Sequence, residues 1–142
     1  MPSKDKFEEQ KAQKAQQDPI SLELACAALR ELWSPRVVGQ VNNQYVKVAK
    51  VQGEFPWHSH EHEDEMFLVL RGLLCIGRAE ADGGPVFLRP GEFFVVPRGV
   101  RHNTSATEET WIALIETITT LHTGTEHTAL TRSIADQLGS AS

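Results

Sequence analysis

The chain has 142 residues, enough for one compact domain and too few for most multidomain enzymes. Fourteen Lys and Arg against nineteen Asp and Glu give a net charge of −5, which argues against capture of a phosphate backbone or an anionic membrane surface, so neither nucleic acid nor membrane is an expected partner. Cys26 and Cys75 lack CxxC spacing and exclude both a disulfide framework and a thiolate metal site. With no apolar leader and no apolar run near the roughly 18 residues of a membrane span, a reducing, cytoplasmic setting is expected.

Residues 1–17 are rich in Lys, Glu and Gln without periodic apolar positions, and read as a disordered polar tail. Asp18-Pro19 then offers an N-cap and a proline at the first helical position, and Leu22, Cys26, Leu29 and Trp33 follow at helical spacing, so a helix is expected over residues 18–34, stopped at Ser34-Pro35. From residue 35 to about 120 the texture becomes β-rich: strands are expected at 37–41, 45–51, 66–70, 73–78, 86–88, 93–96 and 111–116. Asn42-Asn43, Arg71-Gly72, Asp82-Gly83-Gly84-Pro85, Pro90-Gly91 and Pro97-Arg98-Gly99 divide them as turns, at intervals that suggest an all-β sandwich or barrel. Residues 121–142 form a C-terminal extension with a helical turn expected over 133–138.

Strands 66–70, 93–96 and 111–115 are apolar at odd and even positions alike, so both faces need cover. One face points into a barrel; a homodimer partner is expected on the other, with the N-terminal helix as the competing cover.

The histidines carry the chemistry. His58, His60 and His62 fall within five residues, and the window 54–65 holds Glu54, Glu61, Glu63, Asp64 and Glu65 without a Lys or Arg, so it alone accounts for the net −5. Residues two apart on a strand share a face, which presents the His58 and His60 imidazoles together while Trp57 and Ser59 point away. Glu65 is an odd number of positions beyond His60, so a turn over 61–64 must intervene before it starts a strand with Phe67 and Val69 on its own face. A carboxylate and imidazoles facing an apolar interior are costly unless coordinated, and His102, after the turn at 97–99, is the best fourth ligand. Three imidazoles and a carboxylate suit Fe, Mn, Ni, Zn or Cu rather than Ca or Mg. His62 is the rival ligand within the cluster, while His122 and His127 read as surface residues and Cys75 as a core residue. Phe67, Val69, Phe94, Val96, Ala113 and Ile115 are candidate walls of the space above the metal, and Tyr45, Lys47 and Arg101 are polar groups whose side of the sheet is open.

The stretch from Gly53 through His58, His60 and Glu65 to Gly72 resembles the first cupin motif, and Pro90-Gly91, Pro97 and His102 resemble the second. The resemblance implies a cupin double-stranded β-helix, a jelly-roll barrel, with His58, His60, Glu65 and His102 as ligands of a divalent transition metal. It also implies a small oxygenated metabolite, such as a sugar, sugar acid or organic acid, as small-molecule ligand. Two function classes follow: a small metalloenzyme of isomerase, lyase or decarboxylase, or dioxygenase type, and a non-catalytic binding or sensor cupin.

Overall fold

The structure, a computed structural model, describes residues 18–120 and 133–138. In chain order these form helix α1 (Leu22–Ala27), strands β1 (Arg36–Val41), β2 (Gln44–Glu54), β3 (Glu65–Arg71) and β4 (Leu74–Arg78), a single 3₁₀ turn (Glu80–Asp82), strands β5 (Val86–Leu88), β6 (Phe93–Val96) and β7 (His102–Thr117), and helix α2 (Ile134–Leu138). The expected polar tail, His122 and His127 lie outside the described residues.

The strands run in the order β1-β2-β7-β3-β6, and β4 pairs with the first part of β7 and with β5. β7 organises the barrel. Its Ser105 to His102 end pairs with β4, and its Trp111 to Glu116 stretch pairs with β3, while β2 follows it on the other side. The sequence separates a strand beginning at His102 from one at 111–116; the structure joins them, because the intervening Thr-rich residues continue the ladder against the end of β2. Asn42-Asn43 closes the β1–β2 hairpin as a two-residue loop, with Asn42 at φ +52°.

Alternation along the strands builds two apolar layers. Inside the barrel lie Ala49, Val51, Phe67, Val69, Leu74, Ile76, Val96, Ile112 and Leu114 among others. The opposite faces of β2, β3 and β7 place Val48, Ala113, Leu68, Leu70 and Trp111 against Cys26, Leu22, Ala25 and Leu29 of the α1 segment. The two-sided apolar pattern is therefore met in its central part by α1; burying a residue such as Val48 completely contributes about 1.5–3 kcal/mol. Cys75 sits between the inward-facing Leu74 and Ile76, faces the other way and is half-buried rather than part of the core.

α1 is much shorter than the expected span. Ser21, not Asp18, caps it, its Oγ accepting the Leu24 N–H at 3.1 Å. It ends because Lys50 Nζ donates to the carbonyls of Ala27 (3.1 Å) and Leu29 (2.9 Å), satisfying backbone oxygens that a longer helix would need. The chain then runs beside β2, with Trp33 N–H bonded to Lys50 O at 2.9 Å and Trp33 itself at φ +56°. The apolar residues Leu29 and Trp33 are thus half-buried by an extended segment that happens to keep helical spacing.

Candidate metal centre

β2 carries a register shift between Val51 and Gly53, and Gly53 takes φ +84°, a conformation that glycine adopts without steric cost. The chain leaves the sheet after Glu54 and runs extended past residues 55–60. It is not a strand there, yet the expected alternation survives from Trp57 onward: His58 and His60 are buried while Trp57 is exposed and Ser59 half-buried. Trp57 packs over Gly77, where a Cβ would meet its ring at 3.2 Å. His58 and His102 exchange backbone hydrogen bonds of 2.9 Å in both directions, and the Gly99 N–H donates to His60 O at 2.8 Å. These bonds pin the first histidine pair to the start of β7. A bend at Glu61-His62 then reverses the face, and Glu65 opens β3 pointing inward with Phe67 and Val69.

His58, His60, Glu65 and His102 converge. One donor atom from each lies within 4.8 Å of all the others, and every one of the four is at most 4% exposed. Ring centroids are 5.1 Å apart for His58 and His60 and 4.5 Å for His58 and His102. His58 Nδ1 donates to Pro56 O at 2.8 Å and His102 Nδ1 to Val100 O at 2.9 Å, which orients both rings and leaves their Nε2 lone pairs facing the centre. The Nε2 atoms of His58, His60 and His102 are buried without a hydrogen-bond partner. Glu65 faces two of them, Oε2 at 3.3 Å from His60 Nε2 and Oε1 at 3.5 Å from His102 Nε2.

The electrostatics favour bare donors at His58 and Glu65 and a proton on His60, which a bound cation would displace. Burial, with His102 nearby, lowers His58 to about 4 and keeps it neutral at physiological pH. Burial opposes the charge on Glu65, but contacts with His102 and His60 outweigh it and hold the carboxyl well below the usual range. Burial likewise opposes a charge on His60, and Glu65 beside it raises that imidazole overall.

This donor set fits a transition metal ion. Three orphaned imidazole nitrogens and a carboxylate are costly to bury alone. A spread of at most 4.8 Å is a few tenths of an ångström wider than the roughly 4.0–4.4 Å between two donors that face each other across one such ion. His62 stays out, its side chain 81% exposed beside Glu61. Asp64 is also turned outward, accepting the Arg98 N–H at 2.9 Å, so the acidic window contributes one carboxylate to the centre and the rest to the surface.

A cavity of about 40 Å³ adjoins His58 and Glu65, walled by Trp33, Val51, Phe55, Phe67, Ile112 and Leu114 among others. Phe67 is the expected wall that lines it. Ala113 lies under α1 instead, because Ile112 and Leu114 take the inward parity of β7. Three further inward groups are polar. Lys47, Glu116 and Gln137 are completely buried, with Lys47 Nζ 3.7 Å from Glu116 Oε2 and donating to Gln137 Oε1. Arg101 is exposed and Tyr45 half-buried. Glu116 was legible by phase, being in step with Ile112 and Leu114; Gln137 carried no local signal.

The Cupin_2 family model, described as a cupin domain, matches residues 44–118. Among curated proteins, the uncharacterised YdbB of Bacillus subtilis is 33% identical over 67 residues, covering 47% of this chain; the chain spans 58% of that relative's length. A cupin-2 domain containing protein from Shewanella frigidimarina superposes with TM-score 0.66 at 36% identity, over 74% of this chain and 97% of that one. A protein from Neisseria meningitidis gives TM-score 0.63 at 29% identity, over 70% and 99%. The hydroquinone 1,2-dioxygenase of a Sphingomonas species shares the fold, with TM-score 0.57 and 16% identity over 68% and 72%.

Proposed function

This chain belongs to the Cupin_2 family, and on that footing we propose that it is a metal-binding cupin in which His58, His60, Glu65 and His102 hold one divalent transition ion (Fe, Mn, Ni, Zn or Cu) and act on a small oxygenated metabolite. The observation that carries the reading is the convergence of three buried, hydrogen-bond-orphaned Nε2 atoms on one carboxylate. A bound ion with positions left open would supply Lewis-acid polarisation of a carbonyl or hydroxyl oxygen, or a site for dioxygen.

The protein's own residues do the rest. Pro56 O and Val100 O fix the tautomers of His58 and His102, so both present a lone pair without rearrangement. Glu65 supplies the negative charge that would balance the ion. The apolar walls Phe55, Phe67, Ile112 and Leu114 exclude water and limit the ligand to a few heavy atoms at the centre. This supports isomerase, lyase or decarboxylase, or oxygenase chemistry on a sugar, sugar acid or organic acid.

The enclosure favours a second reading. With no site residue more than 4% exposed, the centre suits holding a small ligand as well as turning it over, as in a non-catalytic sensor.

Elemental analysis after reconstitution with each first-row ion tests the centre: about one equivalent per chain is expected, and less than about 0.2 for every ion overturns it. A panel of small acids and sugars with the retained metal then separates the classes, turnover supporting the enzyme and saturable binding without turnover the sensor.

A further inference from the structure

Lys47, Glu116 and Gln137 are three polar side chains with no exposed surface, and none belongs to the metal centre. Lys47 shares the inward face of β2 with Ala49 and Val51, and Glu116 shares that of β7 with Ile112 and Leu114. Glu116 also stands directly opposite Glu65 in the β3–β7 ladder, so this polar row abuts the centre. Gln137 comes from α2, which packs against β1 and is closed by Ser133, whose Oγ accepts the Asp136 N–H at 3.0 Å. Its side-chain oxygen accepts from Lys47 across 90 positions of sequence.

Two features distinguish this row from a structural ion pair. Lys47 Nζ stands 3.7 Å from Glu116, beyond hydrogen-bond distance, and both Glu116 oxygens lack a hydrogen-bond donor among the described residues. An unpartnered, fully buried carboxylate therefore lies beside an amine that already holds a carbonyl oxygen. In addition, α2 closes the interior through a polar hook where an apolar side chain would seal it more cheaply. A polar hook can exchange its partner for another carbonyl group or for water, whereas an apolar plug cannot.

We propose that Lys47 and Glu116 form a binding subsite for a small primary carboxamide, its oxygen on Lys47 Nζ and its N–H on Glu116, and that the Gln137 carboxamide holds the Lys47 half of this subsite when the chain is closed. A ligand bearing such a group displaces Gln137 and lifts α2, so that occupancy beside the metal centre is read at the C-terminal end. The proposal rests on the metal-centre reading only for what the rest of the ligand touches.

Acetamide is the probe, because it replaces the atoms that Gln137→Ala removes. In the full-length Q137A chain, kept metal-free, acetamide is expected to raise the thermal midpoint and to protect Lys47 from an amine-reactive reagent, at a concentration at least about tenfold below that needed in the wild type, where Gln137 competes. K47M added to Q137A abolishes the thermal shift. No binding to Q137A, survival of binding in the double variant, or tighter binding of acetate than of acetamide overturns the proposal. Hydrogen exchange on the wild type gives an independent reading should Q137A fold poorly: high acetamide accelerates exchange over residues 134–138, and unchanged exchange counts against the subsite. Metal content of the same proteins separates the two readings. A chain that binds metal but not acetamide sinks the subsite alone, and one that binds acetamide but no metal sinks the centre alone.

Discussion

At Gly72 the backbone takes φ +92°, and a Cβ there would lie 2.4 Å from Thr110 Oγ1 and 3.0 Å from Thr110 Cα. The turn between β3 and β4 thus tolerates no side chain on two counts, and Gly72→Ala is expected to cost about 1–3 kcal/mol in denaturant unfolding, or more where Thr110 cannot shift. The metal centre makes a sharper demand. Glu65→Gln or His102→Ala should weaken metal binding by more than the roughly 10–100-fold that follows loss of an outer partner, while His62→Ala leaves it unchanged, since His62 points to solvent. Equal losses in competitive chelation would show that the centre lies elsewhere. Glu116 gives the metal-free protein an unusual pH profile. Burial, and then the charge of Glu65, push its carboxyl from 4.5 to about 8, so between these values the folded chain keeps a proton that the unfolded chain has lost. Its stabilising contribution falls as pH rises through that window. His58 opposes it from 6.5 down to about 4, where the unfolded chain holds the proton instead. Between pH 6.5 and 8 Glu116 therefore acts without that opposition and in the same direction as the raised His60, so unfolding free energy should drop as pH rises, by up to about 1.4 kcal/mol per pH unit from Glu116 alone, the part of the slope that Glu116→Gln removes. Below about 4.5 the lowered Glu65 reverses the trend, its contribution being lost as pH falls.

At the scale of elements, α1 shows where local pattern misleads. Leu22, Cys26, Leu29 and Trp33 keep helical spacing, yet the helix ends at Ala27, because Lys50 from β2 takes the terminal carbonyls and Trp33 is drawn into a bond with β2. Lys50→Ala should therefore reduce stability by roughly 1–3 kcal/mol, through lost hydrogen bonds to Ala27 and Leu29 and loss of its position over the Trp111 ring, whereas an exposed lysine elsewhere changes little. Thermal unfolding of the variant measures it. The strands were more legible. β5 and β6 fall where turn residues and apolar runs place them, and β1–β3 differ by a few end residues, because strand identity rests on period-2 patterning that burial enforces at each residue. Partner change along β7, from β4 to β3, has no local signature.

For the molecule as a whole, the outward face is not evenly covered. α1 shields Val48, Ala113, Leu68 and Leu70, but Phe93 (61% exposed) and Val95 (43%) on β6 lie beyond it. We propose that a second copy of the chain covers this side, since β6 is also the sheet's edge strand. Light scattering should give twice the mass of one chain, and Phe93→Lys should halve it; a one-chain mass for the unmodified protein overturns the pairing. Thiol reactivity probes the same shell from within: burial raises Cys26 to about 11, so it should resist alkylation in the native state while half-buried Cys75 reacts first.

The amino-acid sequence by itself determined the β-rich architecture, the inward phase of His58, His60, Glu65 and Phe67, and the entry of His102 from a second motif. The first two follow from alternation and turn chemistry within a few residues, signals that survive without knowledge of the fold, while His102 rests on the turn before it and on the resemblance to the second cupin motif. The short α1, the half-buried Cys75, the inward turn of Ile112 and Leu114, and the union of Lys47, Glu116 and Gln137 were decided only in three dimensions. They depend on which strand lies beside which and on hydrogen bonds spanning 21 to 90 positions, and no local period encodes a partner at that distance.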